Sequence, residues 1–449
     1  MSEPTTQQPR LVRAMGFWML TAYGVGDILG AGIYALIGEI AAVAGSLSWL
    51  SFLLAGIVAG LTGLSYAELG SRFPFSGGES YFMQQAFQRP RLSFLTGWLV
   101  FCSGLVSMAT IARAFAGYAG HLIPSSSESL MVSSLVIALA LIALVGIRIS
   151  SSANAVCTVI ESTGLLLVAG AASVWLINGN TAAEEATAIA TSLTNSTQSG
   201  TGPGFIPLLQ GAALAFFAFV GFEDMVNVAE EVHEPERTMP RAVLTSVAIA
   251  VLVYVVVVFT ATQVVAPAML ATSDAPLLMV MEASWPQFPL MLFSIIALFA
   301  VANTGLANFV TSSRLIFGMS EQNLLPAWLG RVNAKTRTPD AAIAVCFVVG
   351  LCLALWGSLS QLAGATSCLI LTIFALMNLS LILIRRRSPR TSGFRTPTVT
   401  PFVALVCCLG LLCFVSVESL TTAAVIVAMG VVLAFARKQP PDAAGADLN

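Results

Sequence analysis

Long apolar runs, almost free of charge, dictate what this chain can become. They follow one another from residue 16 to residue 436, and most are near the ~20 residues a helix needs to cross a hydrocarbon core. Such runs cannot be hidden inside water-soluble domains here. Soluble domains carry ~25% charged residues, whereas this chain of 449 residues has 9%, with 57% hydrophobic residues and a mean hydropathy of +0.87. The sequence predicts spans at 16–42, 45–69, 92–123, 129–147, 153–178, 204–231, 242–266, 287–319, 341–357, 361–384, 399–417 and 420–436. The runs are unbroken rather than alternating, which excludes β-barrel strands. The expected fold is therefore an all-α membrane protein with twelve transmembrane helices. The first span follows a polar stretch without a small-residue cleavage site, so it reads as a retained helix and not a removable signal. Met1-Ser2 also lacks the glycine that myristoylation requires.

The distribution of Lys and Arg sets the orientation. Arg10 and Arg13 precede span 1, and Arg72, Arg89 and Arg91 separate spans 2 and 3. Arg148 follows span 4, Arg237 and Arg241 follow span 6, and Arg314, Arg331, Lys335 and Arg337 close span 8. Arg385, Arg386, Arg387, Arg390 and Arg395 follow span 10, and Arg437 and Lys438 follow span 12. Nineteen of the twenty basic residues thus fall on one side, and Arg113 inside span 3 is the exception. Both termini, 1–15 and 437–449, are expected in the cytoplasm of a multi-pass cell-membrane protein. The polar stretch 179–203 reads as an external loop. Its sequon at Asn195 is better explained by chance than by glycosylation, and a short external helix is expected around Pro276–Trp285. The net charge of −2 gives no ground for a nucleic-acid partner. Eight cysteines without a C-x-x-C pair, and histidines only at 121 and 233, indicate neither a metal site nor a disulfide framework.

Two spans are interrupted. Span 1 carries Gly24, Gly26, Gly30 and Gly32 around Asp27. Glycine costs ~1 kcal/mol in a helix interior relative to alanine. The cluster fits either a small-x-x-x-small packing face through Gly26 and Gly30 or an unwound segment, and Asp27 favours unwinding. Gly-x-Gly here follows no strand, so it is not a dinucleotide loop. Span 6 places Gly221, Glu223 and Asp224 inside an apolar run. A charge at the bilayer centre costs at least ~2.5–3.5 kcal/mol, so these acids should face protein or water. Paired interruptions five spans apart point to an inverted-repeat transporter. Broken helices offer N–H groups to a carboxylate and carbonyls to an ammonium group, and an α-amino acid carries both.

The residues at these breaks resemble the amino acid–polyamine–organocation superfamily, closest to its cationic amino acid transporter-like branch. The resemblance rests on four segments: Gly26 to Tyr34; Phe217 to Glu223 with Ala229 to Ala242; Ser313 to Pro326 with Arg337-Thr-Pro339; and Ile111 to Ala114. It implies a ten-helix core over 16–384, with repeats at 16–178 and 204–384, and helices 11 and 12 (399–436) outside it. It implies that the substrate carboxylate meets the backbone of Gly30, Ala31 and Gly32. The amino group would meet carbonyls of Ile28, Phe217 and Val220 beside Gly221. Phe217 falls where relatives often carry an aromatic lid, with core packing the plainer alternative.

Glu161 falls where certain proton-coupled relatives carry a lysine, beside the cation site of sodium-coupled ones. Thr304 and Asn308, four apart on one helix face, match positions lining the same site, although such residues also serve simply to bond helices. The coupling set is therefore Glu161, Asp27, Glu223, Thr304 and Asn308. Glu223 is equally placed to cap the inner half of helix 6; Arg113 either offsets one acid or, the favoured reading, holds two helices together. The leading reading is an amino acid importer, driven by a proton. A sodium-coupled or exchange-type amino acid or polyamine transporter and a non-transporting amino acid sensor are the alternatives. No cofactor, P-loop or paired catalytic constellation is visible, so an enzyme is not expected.

Overall fold

The computed structural model describes residues 15–73, 78–146, 151–180, 204–321, 325–333, 335–388 and 393–436. Arg10, Arg13, Arg148, Asn195, Arg390, Arg437, Lys438 and the tail lie outside the described residues. Within them every predicted apolar segment is helical. Among the described residues, the sole extended pairing is an isolated bridge between Met15 and Val232. Among the described residues, nine helical stretches are long and apolar enough to cross a membrane, and Asp340–Trp356 and Thr400–Leu412 are shorter apolar helices.

The first predicted span is split into α1 (Phe17–Ile28) and α2 (Ala31–Ala44). It turns at Gly45, with φ +57°, into α3 (Ser48–Arg72), and α4 (Gly78–Phe87) lies between that helix and α5 (Pro90–Leu122). Next come α6 (Glu128–Val145) and α7 (Ser151–Ile177). The sixth span begins as α8 (Phe205–Ala215) and continues as two 3-10 helices, Phe216–Phe219 and Phe222–Glu231. Then follow α9 (Pro235–Val264), α10 (Pro276–Ser284), α11 (Leu290–Glu321), α12 (Asp340–Trp356), α13 (Leu359–Arg387), α14 (Thr400–Leu412) and α15 (Val417–Ala436).

Helices α5 and α13 are the most enclosed, whereas α7 and α15 are mostly uncovered. Val159, Leu166, Val425, Val432 and Phe435 stand exposed on those outer helices. A continuous apolar exterior would aggregate in water but is what a bilayer accepts. In hydrocarbon, polar groups must find partners inside the bundle, and several buried ones pair across helices. Asn378 on α13 accepts from Ser65 at 2.6 Å and donates to Thr62 at 3.2 Å, both on α3. Glu68, fully buried on α3, is held by Arg72 at 2.8 Å and by Arg385 of α13, and accepts from the Thr396 N–H at 2.8 Å. Arg113 pairs with Glu128 at 3.0 Å and donates to the Ala354 carbonyl at 2.9 Å, fastening α5 to α6 and α12. The helix-holding alternative thus describes the contacts of Arg113.

Candidate functional site

In the first interruption, α1 ends at Ile28, Leu29 closes it with an N–H bond to Val25, and Gly30 (φ −72°, ψ −145°) leads into α2. Unwinding is therefore confined to Leu29 and Gly30. Gly24 and Gly26 remain helical and serve packing. A Cβ on Gly24 would lie 2.4 Å from Met225 Sδ, and one on Gly26 would lie 1.9 Å from Thr158 Oγ1. Both sequence alternatives thus operate, at different glycines. The opening N–H groups of a helix have no intrahelical acceptor. Here the Ala31 N–H donates to Thr304 Oγ1 of α11 at 3.0 Å, and Thr304 donates to its own Ala300 carbonyl at 3.1 Å.

In the second interruption, the 3-10 turn ends at extended Val220 (ψ 133°), and Gly221 takes φ +131°. That conformation belongs to glycine. The Gly221 N–H donates to Glu223 Oε2 at 2.8 Å, so Glu223 caps the segment that follows.

The two breaks interlock. A Cβ on Gly221 would lie 2.7 Å from the Asp27 carbonyl oxygen, and one on Gly32 would lie 2.5 Å from Ala218 Cα. A side chain at Gly32 would therefore strike the backbone of span 6 before it crowded any ligand. Tyr254 of α9 bonds both breaks through one hydroxyl, to the carbonyls of Ile28 and, at 2.9 Å, of Ala218. Nearer the basic face, Met15 pairs through backbone bonds of 2.9 Å with Glu231 and His233.

A cavity of about 620 Å³ opens at this junction. All seven residues expected to meet substrate line it: Ile28, Gly30, Ala31, Gly32, Phe217, Val220 and Gly221. The cavity extends past Asp27, Thr304 and Asn308 to Glu79 and Arg314. Thr311 and Arg314 on α11 are exposed along this path. Asp27 leaves one carboxylate oxygen without a hydrogen-bond partner. Two expected acceptors are engaged already: Ile28 by Tyr254, and Phe217 by the Val220 N–H at 3.2 Å.

Of the coupling residues, Asp27, Thr304 and Asn308 line the cavity. Glu161 is buried off the cavity, and its side-chain neighbour is Asn303, which donates to Oε1 at 2.8 Å. The expected neighbours are occupied elsewhere. Thr304 caps α2, and Asn308 donates to Ser107 of α5 at 3.0 Å. The reason is helix rotation, because successive residues point about 100° apart; Asn303, and not Thr304, faces α7. Sequence reasoning missed Asn303, although an amide within an otherwise apolar run was a visible signal. It also missed the hydroxyl of Tyr34, which donates to the Glu161 carbonyl at 3.1 Å, and Glu79. Glu79 lies outside the spans. Burial pushes its carboxyl up to about 7 from an ordinary 4.5, and Tyr66 donates to it at 3.3 Å.

Interrupted helices around a solvent-reaching cavity define a membrane transporter. Residues 15–436 match the amino acid permease family model, and the chain belongs to that family, within the amino acid–polyamine–organocation superfamily. It is 26% identical over 434 residues to the branched-chain amino acid permease BcaP of Bacillus subtilis, covering 91% of this chain and 89% of that protein. It is 32% identical over 358 residues to the chloroplastic cationic amino acid transporter 9 of Arabidopsis thaliana, covering 73% of this chain and 59% of the longer plant protein. An uncharacterised transporter of Mycobacterium tuberculosis is 27% identical over 96% of this chain and 92% of its own length. The family is one of amino acid transporters and not of enzymes.

Proposed function

We propose that the protein is a secondary active importer of amino acids, coupled to a proton and working by alternating access. In this reading it crosses the cell membrane twelve times with both termini in the cytoplasm. Residues 16–178 and 204–384 are inverted repeats, and α14 and α15 flank them. In this reading the cavity, lined by Glu79 and Arg314 towards one end, opens to the cytoplasm. The substrate carboxylate sits at the start of α2 and its ammonium group near the carbonyls of the sixth-span break.

The observation that carries proton coupling is Glu161. The residue is 1% exposed among apolar helices, and among the described residues it forms no ion pair. An enclosed carboxylate needs its charge offset, and a proton does this without a second protein charge. Asn303 can hold either protonation state, since an amide both donates and accepts.

The test is uptake by purified protein in liposomes, starting with leucine and arginine because the relatives' names span branched-chain and cationic substrates. An inward proton gradient should drive accumulation, and an inward sodium gradient alone should not. Glu161→Gln should retain binding and exchange but lose pH-driven accumulation. Accumulation by the Gln variant on a pH gradient would shift the proton to Asp27 or Glu223. Sodium-driven uptake indifferent to pH would overturn the proton assignment, and binding without flux would indicate a sensor.

A further inference from the structure

We propose that Thr304 is a placeholder for the substrate carboxylate: its hydroxyl oxygen holds the Ala31 N–H, and an arriving amino acid takes that N–H by displacing Thr304, which unties α11 from α2. This rests on the reading in which an α-amino acid carboxylate meets the start of α2.

The first observation is the direction of the hydrogen bonds. A threonine hydroxyl has one proton and two acceptor lone pairs. Thr304 spends its proton on the Ala300 carbonyl four residues back, at 3.1 Å, and accepts from Ala31 N–H at 3.0 Å. It therefore acts at the head of α2 as an acceptor alone, as a carboxylate oxygen would. The positive end of the helix dipole favours such an acceptor. With its proton engaged, the hydroxyl turns lone pairs towards any arriving carboxylate, and the two oxygens cannot share one N–H at full strength.

The second observation is the space that permits this contact. A Cβ on Gly30 would lie 2.3 Å from Thr304 Oγ1. Gly30 lacks the atom that would block the hydroxyl, although its own φ of −72° suits any residue. The third is location. Gly30, Ala31, Gly32 and Thr304 all line the 620 Å³ cavity, so the bond lies where a ligand can reach it. Glu161 is bonded through Asn303, the residue beside Thr304 on α11. Displacing Thr304 therefore acts on the helix that holds the neighbour of Glu161.

The sign of one affinity change tests this. Binding of L-leucine and L-arginine to purified protein is measured by thermal shift and radioligand assay, beside their decarboxylated amines, 3-methylbutylamine and agmatine. Thr304→Val keeps the shape and removes the competing acceptor. It should tighten binding of whichever amino acid the unmutated protein takes by about 2- to 10-fold, the worth of one hydrogen bond. Thr304→Ser keeps the hydroxyl and should bind within twofold of the unmutated protein. The amines have no carboxylate and should show no gain. Thr304→Ala, which removes volume, must give the same sign as Thr304→Val and serves in its place if that variant does not purify. Weaker amino acid binding in both would mean that the hydroxyl donates to the substrate, and would overturn the placeholder. Unchanged binding, or an equal gain for the amines, would overturn it also. If neither amino acid binds the unmutated protein, the carboxylate reading fails for these substrates and the placeholder fails with it; flux driven by other amino acids would still be read separately in the liposome assay.

Discussion

The two interruptions use glycine for different reasons. At the first, two residues leave the helix, Gly30 keeps a φ of −72° that any residue adopts, and the exposed N–H of Ala31 is capped from outside by Thr304. At the second, Gly221 adopts φ +131°, and the cap comes from within, from Glu223 two residues on. Glycine at position 30 makes room for a neighbour's side chain, whereas at position 221 it supplies a backbone conformation. A break capped by its own segment can persist as one unit. A break capped by another helix is open to exchange with a ligand.

The largest expected effect lies at Gly221. Gly221→Ala would place a Cβ 2.7 Å from the Asp27 carbonyl oxygen at a φ that disfavours side chains. Backbone strain alone costs ~1–3 kcal/mol, and the collision adds to it. A total loss of about 3 kcal/mol or more is expected, visible as a large fall in thermal stability and in monodisperse yield. Survival of Gly221→Ala with full stability would remove the conformational half of the comparison.

An intermediate effect comes from charge. The segment after the second break shares its surroundings with Glu79: Tyr66 of α3 bonds it, Asp224 and Glu223 face it, and Arg314 lines the same cavity. Its folded value of about 7 exceeds the ordinary 4.5, so the folded state binds this proton more tightly than the unfolded chain. The associated stability is present in full below about 4.5 and is lost as pH rises through about 7. Thermal stability should therefore fall by about 2 kcal/mol between pH 5 and pH 8.5, and Glu79→Gln should flatten that decline. An unchanged profile in the variant would assign the decline to another group.

The smallest effect belongs to the first break. Gly30→Ala meets the Thr304 side chain (Oγ1 at 2.3 Å, Cγ2 at 3.1 Å, Cβ at 3.3 Å), which must give way, but its three nearest contacts include no backbone atom. The folded protein should persist, with a loss of about 1 kcal/mol or less, and a second change of Thr304→Ala should recover part of it. If Gly30→Ala proves as damaging as Gly221→Ala, the two breaks are alike and the distinction drawn between them is wrong.

The helical segments were legible in the sequence. The membrane-crossing ones were written as continuous apolar runs, and the two interruptions were marked by glycine beside acid; the short polar helix α4 (Gly78–Phe87) was not. The amino acid permease family was legible as well, in motifs at those same interruptions. The extent of unwinding was not: four glycines in span 1 look alike in sequence, but Gly24 and Gly26 face Met225 and Thr158 inside a regular helix, and Gly30 alone of the four lies in the break. In sequence Glu223 is as fit for coupling as for capping; the bond it accepts from the Gly221 N–H is a tertiary fact.

What the chain determined by itself follows from additive costs. Every charge placed in hydrocarbon and every apolar residue placed in water is penalised position by position, so composition along the sequence is enough to mark apolar helices and their flanks. What the tertiary structure decided depends on rotation and close approach. Asn303 rather than Thr304 meets Glu161, Thr304 meets Ala31, and Tyr254 reaches both breaks at once. A turn of about 100° per residue exchanges such partners without altering hydropathy, and their identities enter only when helices distant in sequence pack to within hydrogen-bonding distance.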